Sequence, residues 1–242
     1  MIMSSAGELP SSKITLALIT ARGGSKGLPR KNVLLTAGKP LIAWTVHAAL
    51  AATTVGRVVL SSDDDEIIEA AAAAGCDIPF RRPPELATDE ASSMDVVFHA
   101  LQELPDYEFV VLLQPTSPLR TGADIDAAFK LMLDHNAPAC VSVTDVDQSP
   151  YWMYEVTEID RLRSLFEQSP KINRRQDLPP IFTLNGAIYI AKVEWLLQSR
   201  SFLGPETIAY KMPRSRSIDI DNAIDFQRFC KLVEPPNHEQ TK

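Results

Sequence analysis

Through the first 144 residues, short runs rich in Val, Ile and Leu alternate with segments whose apolar residues recur at helical spacing. Residues 14–20, 57–61, 109–113 and 139–144 read as buried strands. Residues 41–52, 66–74, 93–104 and 123–134 read as helices. In the third helix, Val96, Val97, Ala100, Leu101 and Leu104 fall on one face, and Ser92 or Ser93 supplies an N-cap. Strands and helices in strict alternation predict an α/β fold with a doubly wound, mostly parallel sheet. Ligands of such sheets gather beyond the carboxyl ends of the strands. The segments to read for chemistry are therefore 21–32, 62–65, 81–92, 114–121 and 145–150.

After residue 144 the rhythm changes. Residues 151–158 and 161–166 read as a hairpin, 167–180 as a polar loop carrying basic residues, and 183–191 as a further strand. The expected organisation is a core of residues 13–144 and 202–234, with 145–201 as an insert serving as lid or oligomerisation arm. Residues 1–12 and 235–242 are polar and predicted to be loose.

Composition narrows the class without naming it. The 242 residues are 45% hydrophobic and 23% charged, enough for one large α/β domain. No apolar run approaches the roughly 20 residues of a membrane span. Residues 14–20 are too short for a signal-peptide core and follow no basic segment, so a cytoplasmic location is expected. Cys76, Cys140 and Cys230 are widely spaced and form no ligand cluster, which reads as buried free thiols. His47, His99, His135 and His238 fall in no metal or triad motif, and no general base is apparent. A net charge of −7 argues against nucleic acid as a partner. Against that acidic background, residues 22–31 hold Arg22, Lys26, Arg30 and Lys31 with no acid among them.

Those cations sit in ARGGSKGLPRKN (21–32), which leaves the first strand. Gly23, Gly24 and Gly27 allow close backbone approach to a ligand, and such loops bind phosphate oxygens. A P-loop requires GxxxxGK followed by Ser or Thr, and a dinucleotide fingerprint requires GxGxxG opening a helix. Neither spacing is present. A second acidic feature, Asp219 and Asp221 in SIDID (217–221), would place two carboxylates on one face of a strand, suited to Mg²⁺. The same acids also read as an N-cap cluster for a helix running to Phe229. Asp63–Glu66 reads as acids at the start of the second helix, stabilised by its dipole.

Six segments in order then resemble one family, the acylneuraminate cytidylyltransferases. Besides the glycine loop these are RRPPELATDEASS (81–93), LLQPTSPLRTG (112–122), RRQDLP (174–179), NGAIYI (185–190) and SIDID (217–221). The resemblance spans residues 14–232. It implies a nucleotide-diphospho-sugar transferase-like fold and a reaction in which CTP and an acidic nine-carbon sugar give a CMP-sugar and pyrophosphate. The Kdo cytidylyltransferases, which are related, carry a different first loop.

The family likeness implies roles residue by residue. Arg22, Lys26, Arg175 and Asp221 would be catalytic. Arg22, Gly23, Gly24, Lys26, Asn32, Arg82 and Ser92 would bind nucleotide. Gln114, Arg175, Asn185 and Tyr189 would bind the sugar, with Arg175 as a fork for its carboxylate. Asp219 and Asp221 would hold Mg²⁺, with Mn²⁺ as the alternative. Arg82 reads equally as a surface salt-bridge residue, Ser92 also as a helix cap, and Tyr189 also as strand packing. The family's insert exchanges between subunits, which implies a homodimer with shared active sites, Arg175 acting in trans.

One departure bears on the acceptor. A basic residue near 152 and aromatics around 202–203 are expected for sialic acid, whereas Trp152, Phe202 and Leu203 stand there. That favours a less hydroxylated acid such as legionaminic acid. Pseudaminic acid and Kdo are the other acceptors to weigh, and a CTP-binding sensor or scaffold without turnover is the non-enzymatic alternative.

Overall fold

The computed structural model describes residues 14–166, 174 and 177–234. Its main sheet has six strands, in the spatial order β10-β6-β9-β5-β1-β4. These are β1 (Thr15–Thr20), β4 (Arg57–Ser61), β5 (Phe109–Leu113), β6 (Ala139–Asp145), β9 (Phe182–Lys192) and β10 (Ile208–Lys211). β1 pairs in parallel with β4 and β5, and β10 in parallel with β6. β9 alone runs antiparallel, between β5 and β6. The mostly parallel α/β sheet is thus the expected one.

Helices cover both faces, which is why β1, β4 and β5 are near-continuous apolar runs rather than alternating. α1 (Leu41–Leu50), α2 (Asp65–Ala73) and α4 (Gly122–Asp134) pack one face through Ile42, Val46, Ile67, Ile125 and Phe129. α3 (Ser93–Glu103) and α5 (Val193–Ser199) cover the other through Val97, Phe98, Leu101 and Leu196. α6 (Ala223–Val233) closes one end, where Phe229 packs against Leu41, Trp44 and Ile220. Four of the six described helix starts carry a side-chain cap. Asp64 caps α2, Ser92 caps α3, and Thr121 and Asn222 form capping boxes with Asp124 and Asp225. Cys76 and Cys140 are buried free thiols, and burial pushes both up to about 12.

Two small hairpins leave the sheet. β2 (Leu35–Thr36) pairs with β3 (Lys39–Pro40), and β7 (Tyr154–Val156) with β8 (Leu162–Ser164). The second is the expected hairpin beyond residue 150. The strand expected at 183–191 is not part of an appendage, however. As β9 it is central to the main sheet, so the excursion from the core is narrower than 145–201. An isolated strand gives no sign of its partners, and β9 reaches its place only by long-range pairing. The loose termini expected at 1–12 and 235–242, and most of loop 167–180, lie outside the described residues. Among the described residues, no helix is long and apolar enough to cross a membrane.

Candidate active site

Beyond the carboxyl ends of β1 and β5 opens a cleft of about 620 Å³. Five segments build it. The loop after β1 contributes Arg22, Ser25, Lys26 and Gly27, and the turn behind it Lys31 and Asn32. The approach to α3 contributes Arg82, Thr88, Asp89 and Ser93, the turn after β5 contributes Gln114, Pro115 and Thr116, and the segment before α6 contributes Asp219 and Asp221. A pocket at this edge is where an α/β sheet binds its ligand.

Gly27 permits the closest of these contacts. A Cβ there would run into the Asp221 carbonyl oxygen, so no larger residue lets the basic loop lie against the acidic segment. Lys31 Nζ donates to the Ile220 carbonyl at 2.9 Å and stands 3.6 Å from the Asp221 carboxylate. From the other side, the Ile220 amide donates to the Thr116 carbonyl at 2.8 Å. Residues 217–221 are therefore pinned irregular chain, not the strand expected from their spacing. Ile220 is fully buried, and both flanking carboxylates line the cleft. The helix that follows is capped by Asn222, while Asp225 accepts from the Asp221 and Asn222 amides at 3.2 Å.

Burial pushes the Asp219 carboxyl above its ordinary range, and neighbouring Asp221 adds to the shift. The Thr116 side chain and Lys31 work against it. Asp221 is 73% exposed. The described residues contain no cluster of three or more His, Cys, Asp and Glu fit to hold a metal. Two carboxylates lining one cleft do suit a hard divalent cation whose other ligands are phosphate and water, the usual Mg²⁺ arrangement.

The four cations of the loop divide. Arg22 donates to the Thr88 carbonyl and pairs with Asp89, both at 2.6 Å. Lys26 pairs with the other Asp89 oxygen at 2.6 Å, and chiefly Lys26, with Arg22, holds that carboxyl below its ordinary range. Arg30 turns away to Asp64 and Glu66 at the start of α2. Asp64 caps that helix and Asp65 pairs with Arg81, so 63–66 is the structural acidic cluster expected. Gly23 donates its amide to Asp63 at 3.2 Å, and neither Gly23 nor Gly24 lines the cleft.

Arg82 is not a surface salt-bridge residue. It is 4% exposed, and its guanidinium donates to the Ser61 hydroxyl at 3.0 Å and the Ser61 carbonyl at 2.6 Å. Burial, with Arg22 nearby, lowers it to about 10 despite Asp63. Asn32 is buried at the cleft wall and reaches the Arg22 carbonyl at 3.4 Å. Ser92 caps α3 by accepting from the Asp95 amide at 3.1 Å, and Ser93 rather than Ser92 lines the cleft.

The proposed sugar residues separate. Gln114 faces the cleft, and Gly186 gives it room: a Cβ there would sit 2.7 Å from Gln114 Oε1, and Gly186 has a φ of +71°. Asn185 is 5% exposed and internally bonded, accepting from the Ser142 hydroxyl at 2.6 Å and donating to Ser217 at 2.9 Å. It borders a second cleft of about 470 Å³ that shares Asp219 with the first. Tyr189 pairs with Leu112 in the sheet and packs against Phe202, with ring centroids 5.7 Å apart. Burial, then the charge of Asp219, raises its hydroxyl. Arg175 lies outside the described residues.

Asp89, Thr116 and Arg120 were not singled out from sequence. Asp89 meets Arg22 across 67 positions of chain, a pairing with no local signature. Arg120 stood inside a recognised motif, but nothing in that motif indicated that it is 2% exposed.

A cytidylyltransferase family model matches residues 16–212. The chain is 36% identical over 226 residues to the N-acylneuraminate cytidylyltransferase of Escherichia coli O18:K1:H7, covering 93% of this chain and 53% of that protein. It thus spans about half the length of that relative. It is 37% identical over 226 residues to the CMP-N,N'-diacetyllegionaminic acid synthase of Legionella pneumophila, covering 90% of this chain and 96% of that one. The fold is shared with a CMP:2-keto-3-deoxy-manno-octonic acid synthetase complexed with CTP, at a TM-score of 0.67 and 18% identity over 90% of this chain and 97% of that one. By sequence, the chain belongs to the cytidylyltransferase family.

Proposed function

We propose that the protein transfers CMP from CTP to a nonulosonic acid, releasing pyrophosphate. The observation that carries this reading is the convergence in one cleft of Arg22 and Lys26 from the glycine loop with the Asp219–Asp221 pair. A triphosphate needs fixed cations along its oxygens, and a cation held by carboxylates completes the set.

In this reading the anomeric hydroxyl of the acceptor attacks the α-phosphorus. A new phosphorus–oxygen bond forms, the bond to the β-phosphate oxygen breaks, and the hydroxyl proton passes to solvent. Arg22 and Lys26 hold the phosphates and the departing pyrophosphate. Asn32 and Arg82 line the nucleotide end, with Ser93 beside the Ser92 cap. Gln114 orients the acceptor, with Asn185 and Tyr189 shaping the wall behind it. Asp219 and Asp221 would hold Mg²⁺, or Mn²⁺ in its place, which supplies positive charge to the phosphate oxygens. Raised by burial, Asp219 gains most from a cation that keeps it ionised.

The active unit is proposed to be a homodimer. The β7–β8 hairpin and its surroundings expose Tyr154 (51%), Val156 (67%), Ile159 (68%) and Leu162 (69%), an apolar set suited to a second copy of the chain. Arg175, from the same excursion, is the proposed carboxylate fork for the neighbouring site. Three free cysteines agree with a cytoplasmic location.

A legionaminic-type acceptor is the second reading. Trp152 is 41% exposed where a cation is expected for sialic acid, and Leu203 is 49% exposed where an aromatic is expected. The experiment is pyrophosphate release and mass detection of the CMP-sugar, with N-acetylneuraminic, legionaminic, pseudaminic and Kdo acids offered in parallel. Turnover of one of the nine-carbon acids is expected. CTP binding without turnover of any acceptor would leave a nucleotide-binding protein.

A further inference from the structure

Beneath the cleft, but not lining it, lies a cation that this mechanism leaves unused. Arg120 is 2% exposed. Its Nε donates to the Ala187 carbonyl of β9 at 2.7 Å, and one terminal nitrogen to the Thr45 hydroxyl of α1 at 2.9 Å. The other terminal nitrogen donates to the Gln114 carbonyl at the end of β5. All three acceptors are neutral, and no carboxylate among the described residues lies within ion-pair distance. Burial lowers this guanidinium to about 9, opposed by the more remote charges of Asp124 and Asp219. Burying a charge without a paired counter-charge is costly, so a purely structural tie among three neutral oxygens does not account for an arginine here.

What Arg120 grips is the turn that carries the site. Gln114 faces the cleft from it. Two residues on, the Thr116 carbonyl receives the Ile220 amide at 2.8 Å, and the Thr116 side chain bonds Asp219. One guanidinium therefore fixes, through a single turn, both the proposed acceptor contact and the proposed metal carboxylates. A positive charge behind a pocket that gathers phosphates, a sugar carboxylate and two aspartates also meets a negative field once the reactants arrive.

We propose that Arg120 is a positioning residue for CMP transfer, holding the Gln114–Thr116 turn from inside the sheet and placing a positive charge behind the cleft. This rests on the functional reading above. Two variants separate geometry from charge. Arg120→Met removes both. Arg120→Lys keeps a charge but makes fewer directed bonds, and a buried lysine loses its proton at lower pH than an arginine.

Amide exchange reads the geometry without turnover. In Arg120→Met, exchange at Ile220 and Ser117 is expected to rise about tenfold or more, while Leu60, bonded to Asp77 at the far edge, stays within about twofold. In turnover, kcat is expected to fall about 30-fold or more with KM for CTP within about threefold. Arg120→Lys is expected to recover part of kcat near neutral pH and lose it as pH rises, where the parent stays active. Should Arg120→Met not fold, Arg120→Lys carries both measurements. Unchanged exchange at Ile220, unchanged kcat, or a Lys variant whose pH profile matches the parent's would each overturn the proposal. A parent protein without turnover sinks the functional reading instead, and the exchange data still decide whether Arg120 holds the turn.

Discussion

Asp89 lies 2.6 Å from Lys26, and its second oxygen takes Arg22 at the same distance. One carboxylate thus occupies the two cations assigned to the triphosphate, much as a phosphate group would. Nucleotide entry must exchange Asp89 for phosphate oxygens. Asp89→Asn is therefore expected to lower KM for CTP about two- to fivefold with little gain in kcat, a modest effect because these pairs face solvent. Calorimetric titration with CTP checks it, and weaker binding in the variant would mean that Asp89 orients the cations rather than competing for them.

Asp221 is largely exposed, so its removal costs the fold little. Asp221→Ala is expected to melt within about 2 °C of the parent and to lose Mg²⁺-dependent turnover about a thousandfold or more. Thermal melting and pyrophosphate release measure the two separately. Robust turnover in the variant would remove Asp221 from the metal set.

For Asp219 the sign of the pH effect follows from its raised folded-state carboxyl. The folded protein binds a proton there more tightly than the unfolded chain. Asp219 therefore costs stability above its folded pKa, and that cost is relieved as pH falls through it. Asp219→Asn is expected to raise the melting temperature at pH 7 without metal by about 1–3 °C and to abolish the added stabilisation by Mg²⁺ and CTP. Melting curves from pH 4 to 8, with and without Mg²⁺, test both; a variant less stable than the parent at pH 7 contradicts the assignment.

Arg82 combines a buried guanidinium with two bonds to Ser61. Arg82→Lys keeps the charge and cannot reproduce that fork. KM for CTP is expected to rise about tenfold, with a melting loss of a few degrees from the lost bonds to the Ser61 hydroxyl and carbonyl. Competition by CMP and CDP distinguishes the base end from the phosphates, since a defect at the cytidine end weakens all three nucleotides alike.

Leu162 projects from the hairpin at 69% exposure. Leu162→Glu should leave the folded chain intact, because the described residues leave most of Leu162 uncovered. Sedimentation is expected to show a shift toward monomer at micromolar concentration, with activity falling in proportion. An unchanged oligomer with full activity would place the contact elsewhere.

The strands 57–61 and 109–113 coincide with their expected bounds, because a strand buried on both faces must be a continuous apolar run bounded by polar turns. The first four helices fall within two residues of their expected bounds, and the caps Asp64, Ser92 and Thr121 act within three residues of their targets. Local patterns of this kind survive without the fold. So did the basic loop at residues 22–31, since four cations without an acid are visible as composition.

Contacts made across long stretches of chain were not legible in that way. β9 finds its place between β5 and β6 through register with two distant strands. Arg30 and Lys26 look alike in the linear chain, yet one is drawn to α2 and the other faces the cleft. Gly27 reads as one glycine among three until the Asp221 carbonyl stands where its side chain would be. Chain neighbours set the propensity to be strand, helix or turn. Burial, charge pairing and close approach depend on residues that meet only after folding, and it is these that divide Asp89, Arg82 and Arg120 among their separate tasks.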